Sequence, residues 1–312
     1  MKKMFAFLCV ILAVCLCLVG CKSDDYALAV LLQDAGAYTE AAEIYATLVD
    51  YEDAADRLIV CQAAISQEEA FAQVEAEYDA AARSLIQKNE VLKEAIASAE
   101  AVLGSGIPLD ASRAIALEQS INQAKDMLVA PVYSPREMDS MIAVTNEMNA
   151  IDYQVITEEL DERSVKLEES IIQCRLVNNP SEEYIVACLE NIPGVTGIAP
   201  ATEQNDPNGK LNKDGGYTAA VFFAHENINT TPYSGNTLLN KGTSAGGCLE
   251  VYCTVEDAQA RNTYLAGFDG TFLDSGSHTV LGTVVIRVSP NMTATEQDAV
   301  EAAIISVLLQ EQ

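Results

Sequence analysis

Apolar positions change their period three times along this chain, and each change marks a different kind of element. Met4 to Leu18 is an unbroken apolar run of 15 residues behind Lys2 and Lys3. It is too short to span a bilayer comfortably and has the length of an export signal. From residue 26 the spacing becomes helical. Tyr26 to Ala35 predicts one helix, Gly36 a break, and Tyr38 the start of a second. Residues 62–103 contain neither glycine nor proline and predict one long helix, with apolar positions sparse until Leu85. Leu92, Ile96, Ala99 and Leu103 then form one helical face, the Gly104-x-Gly106-x-Pro108 segment breaks it, and Leu117, Ile121, Ala124 and Leu128 repeat the spacing. Ser134-Pro135-Arg136-Glu137 supplies an N-cap, a first-turn proline and a capping glutamate for a third helix. Its stripe (Ile156, Leu160, Leu167, Ile171, Cys174) meets no breaker before Pro180.

Beyond that proline the pattern turns to short strands. Of the 17 glycines, 13 lie after residue 179. A helix is expected at 181–191, strands at 194–200, 217–224, 248–254 and 278–288, and helices at 255–267 and 293–310. Thr254 with Asp257 and Thr293 with Glu296 start the last two helices. The order α-β-β-β-α-β-α predicts an α+β sandwich with helices on one face of a four-stranded sheet. The expected fold class is therefore multidomain: an all-α helical stalk (hairpin plus three-helix bundle) followed by an α+β sandwich domain. The segments are 1–20 (signal), 21–61 (anchor and hairpin), 62–178 (long helices, with the bundle at about 89–155) and 179–312 (tip domain). An up-down-up bundle sends its chain ends in opposite directions, so residues 24–178 are expected to be elongated.

Several stretches resemble known families. Leu18-Val19-Gly20-Cys21, followed by polar Lys22-Ser23-Asp24-Asp25, resembles the lipobox of bacterial lipoproteins. That resemblance implies cleavage before Cys21, a diacylglycerol on its thiol, and a lipid-anchored protein on the extracytoplasmic face of a bacterial cell membrane. Gly36-x-Tyr38-x-x-Ala41-x-x-x-Tyr45, echoed by Tyr51-Glu52-Asp53-Ala54, resembles part of a tetratricopeptide repeat. It implies a short hairpin, since fewer than three repeats make no free-standing solenoid. The two copies of Leu-x-x-x-Ile-x-x-Ala-[Glu/Lys]-x-x-Leu, with a methionine-rich third helix (Met138, Met141, Met148) behind them, resemble the FIVAR family. Those are three-helix modules of bacterial surface proteins that include matrix-binding adhesins. Asn205-Asp206-Pro207-Asn208-Gly209, Gly215-Gly216-Tyr217 and Gly276-Ser277-His278 resemble an extracytoplasmic domain of lipoproteins of Gram-positive anaerobes, which implies location and no activity.

The formal net charge of −28 argues against nucleic acid and anionic lipid headgroups as partners. Five cysteines follow Cys21 (Cys61, Cys174, Cys188, Cys248, Cys253), an odd and irregular set that is no disulfide framework. No Cys-x-x-Cys or His-rich tract suggests a metal, and no cofactor is implied. Asp206-x-Asn208-Gly209 hints at a calcium loop, but Gln204 and Gly215 would then fill its first and last ligand positions, so it reads as a polar turn. Catalytic residues are not identified. A Cys253–His278 thiol pair is the rival, enzymatic reading, and an assembly subunit that docks through an apolar stripe on 62–90 is a third. If 248–254 and 278–288 begin at the same end of the sheet, the loops feeding them gather Thr243, Ser244, Asp269, Asp274, Ser277 and His278. Carboxylates, hydroxyls and an imidazole suit a cationic or hydroxyl-rich ligand. The expected role is thus non-enzymatic, adhesin-like binding of an envelope or host-matrix protein or glycan.

Overall fold

The computed structural model describes residues 21–131, 135–228, 237–271 and 274–311. It shows long helices followed by an α+β domain, in two compact units: residues up to 91 with 129–153, and 92–128 with the chain from 154 onward. The export signal and Ser134 lie outside the described residues.

In the first unit α1 (Lys22–Asp34) and α2 (Tyr38–Thr47) form the hairpin, turning at Gly36 with φ 78°. That left-handed backbone favours glycine. Ala29, Ala41 and Tyr45 are fully buried between the helices, because small residues let the backbones approach while Tyr45 fills the space beside them. Tyr26 stacks edge-on with Tyr45 and Tyr51, Arg57 lies over its ring, and Arg57 also binds Asp53 at 3.0 Å. The long helix, α3, runs from Ala54 to Leu103, 50 residues, and starts eight residues before the position the pattern marked. Tyr78, Ala81 and Leu85 of α3 pack with Met141 and Met148 of α5 (Met138–Ala150).

The second unit contains the motif helices. Leu92, Ile96 and Ala99 on α3 and Leu117, Ile121 and Ala124 on α4 (Ala111–Met127) are all buried. Their third partner differs from the expected one. The uninterrupted helix from Ser134 to Pro180 is split at 151–153, and α6 (Gln154–Leu176) supplies Ile156, Leu160, Leu167 and Ile171 to this unit. No glycine or proline marks the split. It is closed by Tyr153, whose hydroxyl donates to Asn89 Oδ1 (2.8 Å), while Asn89 Nδ2 donates to the Val129 carbonyl (2.8 Å).

The α+β domain follows as α7 (Glu182–Glu190), β1 (Val195–Pro200), β2 (Tyr217–His225), the single-turn α8 (Leu238–Lys241), β3 (Gly246–Tyr252), α9 (Val255–Ala266), β4 (His278–Leu281), β5 (Val284–Val288) and α10 (Ala294–Leu308). Ser181, Thr254 and Thr293 cap their helices, Thr293 in a full capping box with Glu296. The sheet has five strands in the order β1-β2-β3-β5-β4, all neighbours antiparallel. The extra strand arises because 278–288 is a hairpin. Gly282, at φ 59°, occupies the first turn position between the paired Leu281 and Val284, where a tight turn wants glycine.

Helices cover both faces, not one. Ile185 and Leu189 of α7 and Val300 and Ile304 of α10 pack on Val221, Phe223, Leu249 and Ile286. On the other face Ala258 and Leu265 of α9 pack on Ala220, Phe222, Cys248 and Val285. Val177, at the end of α6, is fully buried in the first of these cores, and Thr283 N and Oγ1 both donate to its carbonyl at 2.9 and 3.1 Å. The domain core therefore begins before residue 179.

Candidate functional site

β4 is antiparallel to β5 and β5 to β3, so β3 and β4 run the same way and both begin at one end of the sheet. The loop before β4 and the turn before β3 consequently lie at that end, with β5 between the two strands. A cleft of about 420 Å³ opens at this end, lined by Asp269, Asp274, Ser277 and His278 with Pro290 and Gln297.

His278 is the fixed point. Its side chain is 8% exposed and held at both ring nitrogens: Nδ1 lies 2.7 Å from Asn262 Oδ1, and Nε2 lies 3.1 Å from Asp269 Oδ1. Asp269 is half-exposed, so one of its faces remains available to solvent. Asp274 has a different job. Its Oδ2 accepts from Gly270 N (3.0 Å) and its Oδ1 from Gly276 N (2.9 Å), so the carboxylate latches its own loop. Those two amides, and then the nearby His278, hold its carboxyl below the usual range. Gly276 is obligatory here: φ is +85° and a Cβ would fall 2.0 Å from the Val288 carbonyl. Ser277 Oγ is buried at the wall of the cleft with no hydrogen-bond partner among the described residues.

Thr243 and Ser244 sit in the 3₁₀ turn before β3, at the same sheet end but outside the walls of this cleft. The Ser244 carbonyl accepts from Ser289 Oγ (3.3 Å) and Asn291 Nδ2 (3.1 Å), which ties the turn to the chain after β5. Asn262 escaped the sequence reading. Its signal was present: between the inward Ala258 and Leu265 of α9, the intervening positions three and four residues on are Arg261 and Asn262, polar where an apolar stripe would continue.

The structure separates Cys253 from His278. Cys253 follows the last residue of β3, whereas His278 opens β4 beside Arg287, which pairs with Cys248 near the start of β3. Five residue steps, about 17 Å, separate the two levels. With both nitrogens of His278 occupied, no thiol–imidazole pair forms there. Along 62–90, Ile86 is the exposed large apolar side chain among the described residues, and no stripe accompanies it. No group of three or more His, Cys, Asp or Glu side chains able to hold a metal occurs among the described residues. At the suspected calcium turn, Asp206 accepts from the amides of Asn208, Lys210 and Leu211 at 3.0, 2.6 and 2.9 Å and from the Tyr217 hydroxyl. Its oxygens organise a loop. Among the described residues no helix is long and apolar enough to cross a membrane, and Cys21 is exposed at the start of α1.

No protein-family model matches the chain, and neither a curated protein nor a solved structure matches it.

Proposed function

We propose that this chain is a lipid-anchored surface protein, tethered through a diacylglyceryl group on Cys21, whose α+β domain binds an extracytoplasmic ligand at the His278 cleft. The observation that carries the reading is the convergence of Asp269, Ser277 and His278 on one solvent-facing cleft, with Asn262 and Asp274 fixing the parts. A half-exposed carboxylate beside an imidazole and a hydroxyl recognises a cationic or hydroxyl-rich group, such as a basic side chain of an envelope or matrix protein or a glycan. The ring has no open nitrogen to take a proton from a substrate, which favours binding over catalysis.

A photo-crosslinking residue placed at Asp269 in cells expressing the full chain tests this. A discrete crosslinked species is expected from that position and not from the exposed Ala302 on α10, and it should vanish when His278→Ala is added. Equal patterns from both positions, or a species indifferent to His278→Ala, would overturn the assignment.

A further inference from the structure

At the other end of the same sheet face lies a second cleft, of about 510 Å³, with a different chemistry. Tyr217 from the start of β2, Tyr252 from the end of β3, and Arg261 and Tyr264 from α9 form its walls, and the loop carrying Lys210 closes one side. That loop is rigid by construction. Asp206 gathers its amides, and Gly216 passes so close to the Lys210 carbonyl that a Cβ there would stand 2.0 Å from the oxygen.

Behind the cleft sits a buried charge cluster. Glu250, with no exposure, accepts from Arg261 Nε (2.8 Å) and Nη2 (3.0 Å), from Arg287 Nη1 (2.8 Å) and from the Tyr252 hydroxyl (3.0 Å). One carboxylate thus faces two guanidinium groups. Burial pushes the Cys248 thiol and the Tyr217 and Tyr252 hydroxyls up, so all three are neutral. Asp206 is taken up by Tyr217 and its own loop, and Asp257 accepts from the Thr254 hydroxyl at 2.7 Å. Arg287, 8% exposed, keeps its Nε without a partner among the described residues. Arg261 reaches the cleft with its fork toward Glu250 satisfied, and its guanidinium lies 5.5 Å from the centre of the Tyr264 ring, which is 60% exposed. In a chain with 46 acidic and 18 basic residues, Lys210 and Arg261 set two cations in the wall of one cleft, with Asp257 as the carboxylate beside them.

We infer that this cleft binds a carboxylate carried on a six-membered ring, with the carboxylate on the free edge of Arg261 and on Lys210 and the ring against the exposed Tyr264, while the buried Tyr217 and Tyr252 form the floor. A guanidinium presents a second donor pair at about 120° to the one Glu250 occupies, and a planar carboxylate fits that pair. Tyrosine faces and edges accept either a sugar or an aromatic ring. The site is independent of the His278 cleft and stands or falls without it.

Calorimetric titration of the detergent-solubilised full chain with glucuronate and with 4-hydroxybenzoate tests the inference, with glucose and phenol as uncharged controls. At least one acid should bind saturably, and about tenfold more tightly than its neutral control. The acid that binds says whether the ring is a sugar or an aromatic. Arg261→Gln should abolish binding, and exposed Lys210→Gln and Tyr264→Ala should each weaken it several-fold. If Arg261→Gln does not fold, the two surface variants decide. Equal affinity for acids and neutral controls, no saturable binding of either acid, or unchanged affinity in both surface variants overturns the proposal.

Discussion

Arg287 on β5 is the diagonal cross-strand neighbour of Glu250 on β3, and its Nη1 donates to Glu250 Oε1 at 2.8 Å in the fully buried middle of the sheet. The pair is completed from α9 by Arg261, so one carboxylate pins β3, the helix that follows it and the more distant β5. Charges this deep are tolerable only while paired, since an unpaired buried ion costs several kcal/mol.

Removing the carboxylate should therefore be severe. Glu250→Gln leaves two guanidinium groups facing a neutral amide and is expected to destabilise the fold by about 3–5 kcal/mol. Chemical denaturation of the variant checks this. A loss under about 1 kcal/mol would mean that the guanidinium groups find other acceptors.

The same carboxylate gives the stability a pH dependence. Burial alone would raise the Glu250 carboxyl, but the bonds and charges of Arg261 and Arg287 outweigh it and hold the group below its usual range. Asp206 is depressed likewise, with the Tyr217 hydroxyl and the loop amides overcoming burial. Both groups bind a proton more readily in the unfolded chain. Their contribution is thus fully present above the ordinary carboxylate range and is lost as pH falls below about 4. Melting temperatures measured from pH 7 down to pH 3 should fall at the acid end, and the fall should be shallower in Glu250→Gln. A flat profile for the native chain would contradict the assignment.

The turn that splits the last strands offers a sharper local test. A Cβ on Gly282 would lie 2.5 Å from the Val177 carbonyl, at φ +59°. Gly282→Ala is expected to cost about 1–3 kcal/mol, because the new side chain must displace backbone and adopt a disfavoured φ. Hydrogen exchange of Thr283 N, which donates to that carbonyl, should accelerate more than exchange of Val221 N in β2.

What the sequence disclosed depended on whether a signal was local. Helix starts at Thr254 and Thr293 were legible because a cap needs only a hydroxyl and its own first turn. The burial of Leu92, Ile96, Leu117 and Ile121 was legible because a 3.6-residue period names one face. The split at 151–153 was not, since what closes it is Tyr153 reaching Asn89, 64 residues away. The His278 cleft was reached from chain direction alone, and that argument outlived the error about strand number because inserting β5 leaves β3 and β4 parallel. It could not rank the members. Asp274 and Asp269 look alike in sequence, but one latches the loop and the other faces the cleft. Glu250 was overlooked in Cys248-Leu249-Glu250-Val251-Tyr252, where a lone acid on the inward side of a strand should have prompted a search for its cations.

The lipid anchor depends on one atom. Cys21 Sγ is the proposed site of diacylglycerol transfer, and α1 begins at the next residue. Cys21→Ser should abolish incorporation of a fatty-acid analogue and shift the protein out of the membrane fraction. Retention of the label in that variant would mean that another thiol is modified and that the lipobox resemblance is accidental.

The extent of the α+β domain can be tested by deciding where to cut. Val177 is fully buried in the core shared by α7, α10 and the sheet, and its carbonyl receives two bonds from Thr283. Asn179 N donates to Thr283 Oγ1 at 2.6 Å, so the chain before the α7 cap completes the β4–β5 turn. A fragment starting at residue 179 deletes Val177 and leaves the buried Thr283 N–H without its acceptor. The lost burial and the orphaned donor together are expected to cost about 2–4 kcal/mol. Val177→Ala in the full chain isolates the packing part, about 1–2 kcal/mol by the same transfer scale. Comparing denaturation of the 179–312 fragment with one that begins at residue 154 should show the shorter one less stable. Equal stability of the two would mean that Val177 packs there without contributing, and the domain boundary would return to residue 179.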